Sequence, residues 1–290
     1  MRGDLRERLA SGRPLVADGA TGTQLQARGL TPGGCSELWC AEQPDAVRAV
    51  AAAYAAAGSD LVYTNSFGGN PWRLGHYGLA DRLDELNTAA ARLAREGAGD
   101  DVYVAGSLGP TGDFLAPLGL LEPEAVEAAY ARQAAALVAG GADALVLETF
   151  AALDELTAGV RGARSVTDRP IIASLTYGPN ARTMMGVSAQ QAAAAVIEAG
   201  ADVVGLNCGD SIEVVVPVLN TYAETGVPLL AKPNSGMPVI VDGQPVWPIS
   251  PDDFAARAAQ WIAAGARIVG GCCGSGPEHV AALARLVRGA

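Results

Sequence analysis

Four stretches of this chain repeat one pattern, and that repeat limits the folds open to it. They are "AAGSDLVYTNSF" (56–67), "AGGADALVLETF" (139–150), "EAGADVVGLNCG" (198–209) and "AAGARIVGGCCG" (263–274). Each closes an alanine-rich helical run, passes a glycine suited to a helix C-cap, and continues as an apolar strand. The strands are near-continuous apolar runs, as expected where both faces are buried. Four more apolar strands interleave: "RPLVADGATG" (13–22), "DVYVAGSLGP" (101–110), "RPIIASLTYG" (169–178) and "VPLLAKPNSG" (227–236). Helical stretches separate them at 45–57, 81–96, 123–139, 152–166, 188–199, 211–225 and 251–264, with 277–289 as the eighth. Eight strands alternating with eight helices over about 250 residues is the pattern of an α/β (β/α)8 TIM barrel. A doubly wound open sheet usually has fewer strands and no reason for eight even units. No linker or charge run divides the chain, so residues 1–290 read as a single domain. The longest irregular connection, 109–125, follows the third strand.

Barrel enzymes build their sites at the C-terminal ends of the strands. That rule selects Asp18, Thr21, Asn65, Ser66, Glu148, Asn207, Cys208, Lys232, Asn234, Cys272 and Cys273. Charge narrows the partners: 31 acidic residues against 20 basic give a net charge of −11. That argues against a nucleic-acid backbone or an anionic membrane. The N-terminal "MRGDLRERLASGRP" has no apolar signal core, and no run is long enough to span a bilayer. Five cysteines, an odd number, without a secretion signal predict reduced thiols and a cytoplasmic location.

Three of those cysteines end strands: Cys208 the sixth, Cys272 and Cys273 the eighth. In a closed barrel only the seventh strand lies between them, and neighbouring strands are about 4.8 Å apart. Three thiolates at one barrel end suit zinc and leave its fourth position open for substrate. Consecutive residues on a strand face opposite ways, so Gly270, Gly271 and Gly274 are expected to let the strand end bend and turn both thiols inward. The bland alternative is that buried cysteines are small hydrophobes. It fits Cys35 and Cys40, in the loop after the first strand, better than it fits three cysteines at one end. A fourth thiolate from Cys35 would close the metal to substrate.

Three anionic sulfurs make zinc a weak Lewis acid but a good holder of a substrate thiolate. A free thiol titrates at about 8.5, and a metal ligand thiol is deprotonated outright. The expected chemistry is alkyl transfer to a thiol. Only His76 and His279 are present and neither ends a strand, so triad hydrolysis has no evident base. His279, in "GPEHV", reads as a helix-face residue rather than a fourth ligand. Asp18 and Glu148 are carboxylates in apolar strand contexts, where a core has little use for them. They suit a substrate ammonium, and the backbone of Gly19-Ala20-Thr21-Gly22 suits its carboxylate.

With these motifs in view, "DGATGTQLQARG", "TNSFGGN", "GPTGD", "ETF", "GLNCG", "KPNSG" and "GGCCG" resemble, in order, those of the homocysteine S-methyltransferase family. The resemblance runs from about residue 14 to 285 and is strongest toward cobalamin-dependent members. It implies Cys208, Cys272 and Cys273 as zinc ligands and as the catalytic centre that activates homocysteine for conversion to methionine. It implies Asp18, Glu148 and the backbone of Gly19 and Ala20 as the amino-acid site, with Asn207 and Asn234 in matching motifs. Thr21, Asn65 and Ser66 would line the pocket. The methyl donor stays open among a methylated corrinoid protein, S-methylmethionine, S-adenosylmethionine and betaine. Because 290 residues leave no room for corrinoid and folate modules, a corrinoid is expected on a separate protein. Rival readings are a Schiff-base aldolase-like barrel using Lys232, the sole lysine; a phosphate cradle after the last two strands; and a non-catalytic zinc subunit that docks a corrinoid protein.

Overall fold

The computed structural model describes residues 2–241 and 244–289. Seven strands come first: β1 (Leu15–Val16), β2 (Leu61–Tyr63), β3 (Tyr103–Leu108), β4 (Ala144–Phe150), β5 (Ile171–Leu175), β6 (Val203–Cys208) and β7 (Leu229–Pro233). A short hairpin follows, β8 (Val239–Val241) with β9 (Gln244–Val246), and then β10 (Ala266–Val269), the last barrel strand. The sheet order β1-β10-β7-β6-β5-β4-β3-β2 is parallel throughout, and a bridge between Ala17 and Leu61 joins its two edges. The expected (β/α)8 barrel is therefore what the chain forms, with β6 and β10 on either side of β7.

Strand alternation builds the interior. Leu15, Leu61, Tyr103, Val146, Ile172, Leu230 and Ile268 form one apolar cluster inside the barrel. The alternate positions, such as Val16, Val62, Val104, Leu145 and Ile171, join a second cluster with the surrounding helices. An N-terminal helix, Leu5–Ala10, supplies Leu5 and Leu9 to the inner cluster. Asp4 caps that helix by accepting from the N–H groups of Arg6 and Glu7. Two residues further along each strand the inward positions become polar: Ser107 after Ala105, Glu148 after Val146, Ser174 after Ile172, Lys232 after Leu230. The apolar barrel thus ends in a polar floor on its C-terminal side, where substrates meet such folds.

The final strand departs from expectation. It stops at Val269, and Cys272 and Cys273 lie beyond it in a turn closed by the Ser275 N–H donating to the Cys272 carbonyl at 3.1 Å. Opposed strand faces are therefore no obstacle to the adjacent thiols. Gly270 and Gly271 serve close approach rather than unusual dihedrals. A Cβ on Gly271 would sit 2.1 Å from Ser275 Oγ, and one on Gly270 would sit 2.9 Å from the Asp18 carbonyl.

Candidate active site

The three cysteines converge. Their Sγ atoms all lie within 4.8 Å of one another, and among the described residues they are the one group of metal-ligating side chains so arranged. Tetrahedral thiolates about 2.3 Å from a zinc ion stand roughly 3.8 Å apart, so the cluster needs little movement to take one. The donor set is sulfur alone, which suits zinc. Cys208 ends β6 with φ 56, a left-handed conformation that costs a non-glycine residue strain. The cysteine loop is stitched to its neighbours: Gly271 N donates to the Asp18 carbonyl at 3.1 Å, and Cys272 N to the Pro233 carbonyl at 2.8 Å.

Without a metal the sulfurs share protons unevenly. Cys208 accepts from the other two thiols and is pushed down to about 3. Donating to Cys208 holds Cys272 well above the ordinary thiol range and raises Cys273 to about 11. Asn234 ties the two cysteine segments together. Its Nδ2 donates to the Gly209 carbonyl at 3.0 Å, and its Oδ1 accepts from the Cys273 N–H at 3.0 Å.

Beside the sulfurs is a cavity of about 400 Å³, lined by Gly19 to Thr23, Tyr63, Asn65, Ser66, Glu148 and the three cysteines. Glu148 is the carboxylate in that lining. Ser107 donates to its Oε1 at 2.6 Å. Burial raises it from 4.5 to about 7, against the lowering influence of Lys232 and of the Ser107 hydroxyl; Asp18 and Cys208 push it further up. Asp18 lies beneath the floor with both oxygens engaged: Oδ1 pairs with Lys232 Nζ at 2.5 Å, and Oδ2 accepts from the Tyr63 N–H at 2.6 Å. Lys232 also sits 3.7 Å from the centre of the Tyr63 ring. Its side chain borders the cavity, but its amine is engaged by Asp18 rather than presented alone to a substrate carbonyl.

The other expected residues take distinct places. Gly19 must be glycine because a Cβ there would meet the Ser275 carbonyl at 2.4 Å, and the Ala20 N–H is already donated to that carbonyl at 2.9 Å. The helix Thr21–Gln26 begins at the pocket with no side-chain cap. Asn65 donates to the Ser36 carbonyl at 2.6 Å, and the Ser66 hydroxyl to the Ser107 carbonyl at 2.7 Å. Cys35 and Cys40 are buried away from the cluster, raised to about 11 and about 12 by burial. His279 caps the helix Pro277–Arg288, accepting from the Gly276 N–H at 3.2 Å, with its other ring nitrogen 3.1 Å from the Ile249 carbonyl. Ser107 and Thr149 were not anticipated; a serine inside the buried run "VAGSL" is the signal that marks the first.

A closed parallel barrel with three converging cysteines and a carboxylate at its C-terminal mouth is the architecture of a barrel enzyme whose site could hold a metal on sulfur. Comparison with known proteins says which. The family model for homocysteine S-methyltransferase matches residues 15–287. The methionine synthases of Mycobacterium leprae and Mycobacterium tuberculosis are each 36% identical, over 98% and 96% of this chain. The chain spans about a quarter of the length of those two relatives. The homocysteine methyltransferase MmuM from Escherichia coli, in its metallated form, superposes with a TM-score of 0.82 at 27% identity, covering 97% of this chain and 99% of that one. The chain belongs to the homocysteine S-methyltransferase family. Among the described residues no helix is long and apolar enough to cross a membrane.

Proposed function

We propose that this protein is a zinc-dependent methyltransferase that takes homocysteine as a thiolate and methylates its sulfur to give methionine. The convergence of Cys208, Cys272 and Cys273 beside Glu148 carries the reading. Zinc held by the three cysteines would supply a fourth position at which a thiol loses its proton yet keeps its nucleophilicity. The chain's own residues do the rest. Ionised Glu148 takes the substrate ammonium, with Ser107 fixing the carboxylate's direction. Asp18, with both oxygens engaged by Lys232 and the Tyr63 N–H, forms a neutral ion pair that fixes the floor beneath that position. The uncapped first turn of the helix Thr21–Gln26, whose Thr21, Gly22 and Thr23 line the pocket, is the seat for the substrate carboxylate, since the Ala20 N–H is already given to the Ser275 carbonyl. Asn234 holds the Cys208 and Cys273 segments at a fixed separation.

A protein-borne methyl donor, a methylated corrinoid, would approach the loops at this mouth. The loops after β3, β5 and β7 carry exposed Leu118, Leu120, Met184, Met237 and Ile240 on the catalytic side of the barrel. The deciding experiment is metal analysis followed by a donor panel. Zinc is expected near one per chain, and the zinc-loaded protein is expected to form methionine from homocysteine with one of methyl-corrinoid protein, S-methylmethionine, S-adenosylmethionine or betaine. Zinc without methionine from any donor would leave only the docking subunit. Homocysteine binding is expected to release a proton, read by calorimetry in buffers of different ionisation enthalpy.

Asn234 gives a prediction of its own. Its removal frees the Cys273 N–H and the Gly209 carbonyl and unties the two segments. Asn234→Ala is expected to weaken zinc binding about 10–100-fold, as loss of groups that orient metal ligands commonly does. Chelator competition measures this, and an unchanged affinity would show that the segments hold themselves.

A further inference from the structure

Asn207 stands where the two halves of the site meet. It lies on the inner face of β6 and is 1% exposed. Its Oδ1 accepts from the Thr149 N–H at 2.8 Å and from the Ser174 hydroxyl at 2.6 Å. Its Nδ2 donates to Thr149 Oγ1 at 2.7 Å and reaches Cys272 Sγ at 3.9 Å. All four hydrogen-bonding positions of the amide are thus used, so the group has one orientation. Both contacts to Thr149 hold a residue with φ 68, a left-handed conformation that is a genuine outlier for a β-branched side chain. Thr149 directly follows Glu148, and Asn207 directly precedes the equally left-handed Cys208. Such strain persists only where the surroundings over-determine it, and here one buried amide lies between the two strained residues.

We infer that Asn207 is a positioning residue that couples the metal centre to the amino-acid pocket. The inference rests on the function proposed above. A metal that draws Cys272 toward it loads the same amide that sets the Thr149 backbone, and with it the direction of the Glu148 side chain. By linkage the effect runs both ways: an amino acid on Glu148 biases the sulfurs toward the metal-bound arrangement.

The probe is L-norvaline, which carries homocysteine's amino-acid portion with a methyl in place of the thiol and so has no sulfur to offer the metal; its weak chelation of free zinc is measured without protein and subtracted. In the wild-type protein, zinc is expected to tighten norvaline binding about tenfold, within the usual range of coupling between sites, and norvaline to tighten zinc by the same factor. Calorimetry and chelator competition read the two legs. In Asn207→Ala the factor is expected to fall to within about twofold. Asn207→Asp keeps both accepted hydrogen bonds and loses both donated ones. It is expected to uncouple the sites in the same way, and it decides the matter if the alanine variant does not fold. Its added charge alters zinc affinity itself but cancels in the factor. Asn207 variants that keep the wild-type factor, or a wild-type protein with no factor, overturn the inference. A wild-type protein that binds no zinc overturns the functional reading beneath it as well.

Discussion

Changing Cys208, Cys272 or Cys273 to alanine, one at a time, is expected to abolish metal retention and, with it, homocysteine methylation. Structural zinc sites bind with about 10–16 kcal/mol. When three protein sulfurs share most of that, each loss removes roughly 3–5 kcal/mol, or about 10²–10⁴ in affinity. Chelator competition should resolve the change. Cys35→Ala and Cys40→Ala are the controls, expected to keep full zinc because both thiols are buried outside the cluster. Cys208 permits a sharper version. Its φ of 56 strains any residue with a Cβ, a cost of about 1–2 kcal/mol that glycine does not bear. Cys208→Gly is therefore expected to lose zinc while the metal-free protein melts no lower than the wild type. A metal-free variant that melts well below wild type would mean that Cys208 serves the fold rather than the metal.

Much of this was legible in the sequence because the barrel repeats itself. The helix expected at 123–139 is Pro123–Ala139, and that at 152–166 is Leu153–Val166. Local pattern and tertiary demand agree there. The helix expected at 211–225 divides into a 3₁₀ turn, Ile212–Val214, and an α-helix, Val215–Ala223. The N-terminal helix escaped notice because its charges hide a two-residue apolar stripe, Leu5 and Leu9, four positions apart. The hairpin β8–β9 has too little alternation to announce itself. In the site, the order of the strands was enough to bring Cys208 near Cys272 and Cys273, but the turn beyond β10 that carries the last two was not legible. The pairing of Asp18 with Lys232 was not legible. It joins residues 214 positions apart and exists because the barrel closes β10 between β1 and β7. The positive φ at Thr149 and Cys208 is likewise absent from any sequence pattern, since neither is a glycine.

Glu148→Gln is expected to divide stability from binding. The metal-free fold raises this carboxyl from 4.5 to about 7, chiefly by burial. A carboxyl raised on folding binds its proton more tightly in the native state. Its favourable contribution is therefore complete below the unfolded value near 4.5 and is lost as pH rises through about 7. At pH 8 the wild type keeps a buried charge, at a cost of up to about 3 kcal/mol relative to the protonated form. Glutamine has the same shape and can still accept from the Ser107 hydroxyl, but it never ionises. The metal-free variant is expected to melt above the wild type at pH 8 and together with it near pH 4.5. Binding runs the other way. The substrate ammonium gains a charged partner only when Glu148 is ionised, so wild-type affinity for norvaline is expected to rise with pH up to about 7 and then level. In Glu148→Gln the rise is expected to vanish and affinity at pH 8 to fall about 10–100-fold, the loss of a charge-assisted hydrogen bond of roughly 1.5–3 kcal/mol. Melting curves and calorimetry on the same two proteins measure both. A variant that binds norvaline as tightly as the wild type at pH 8 would move the ammonium site away from Glu148.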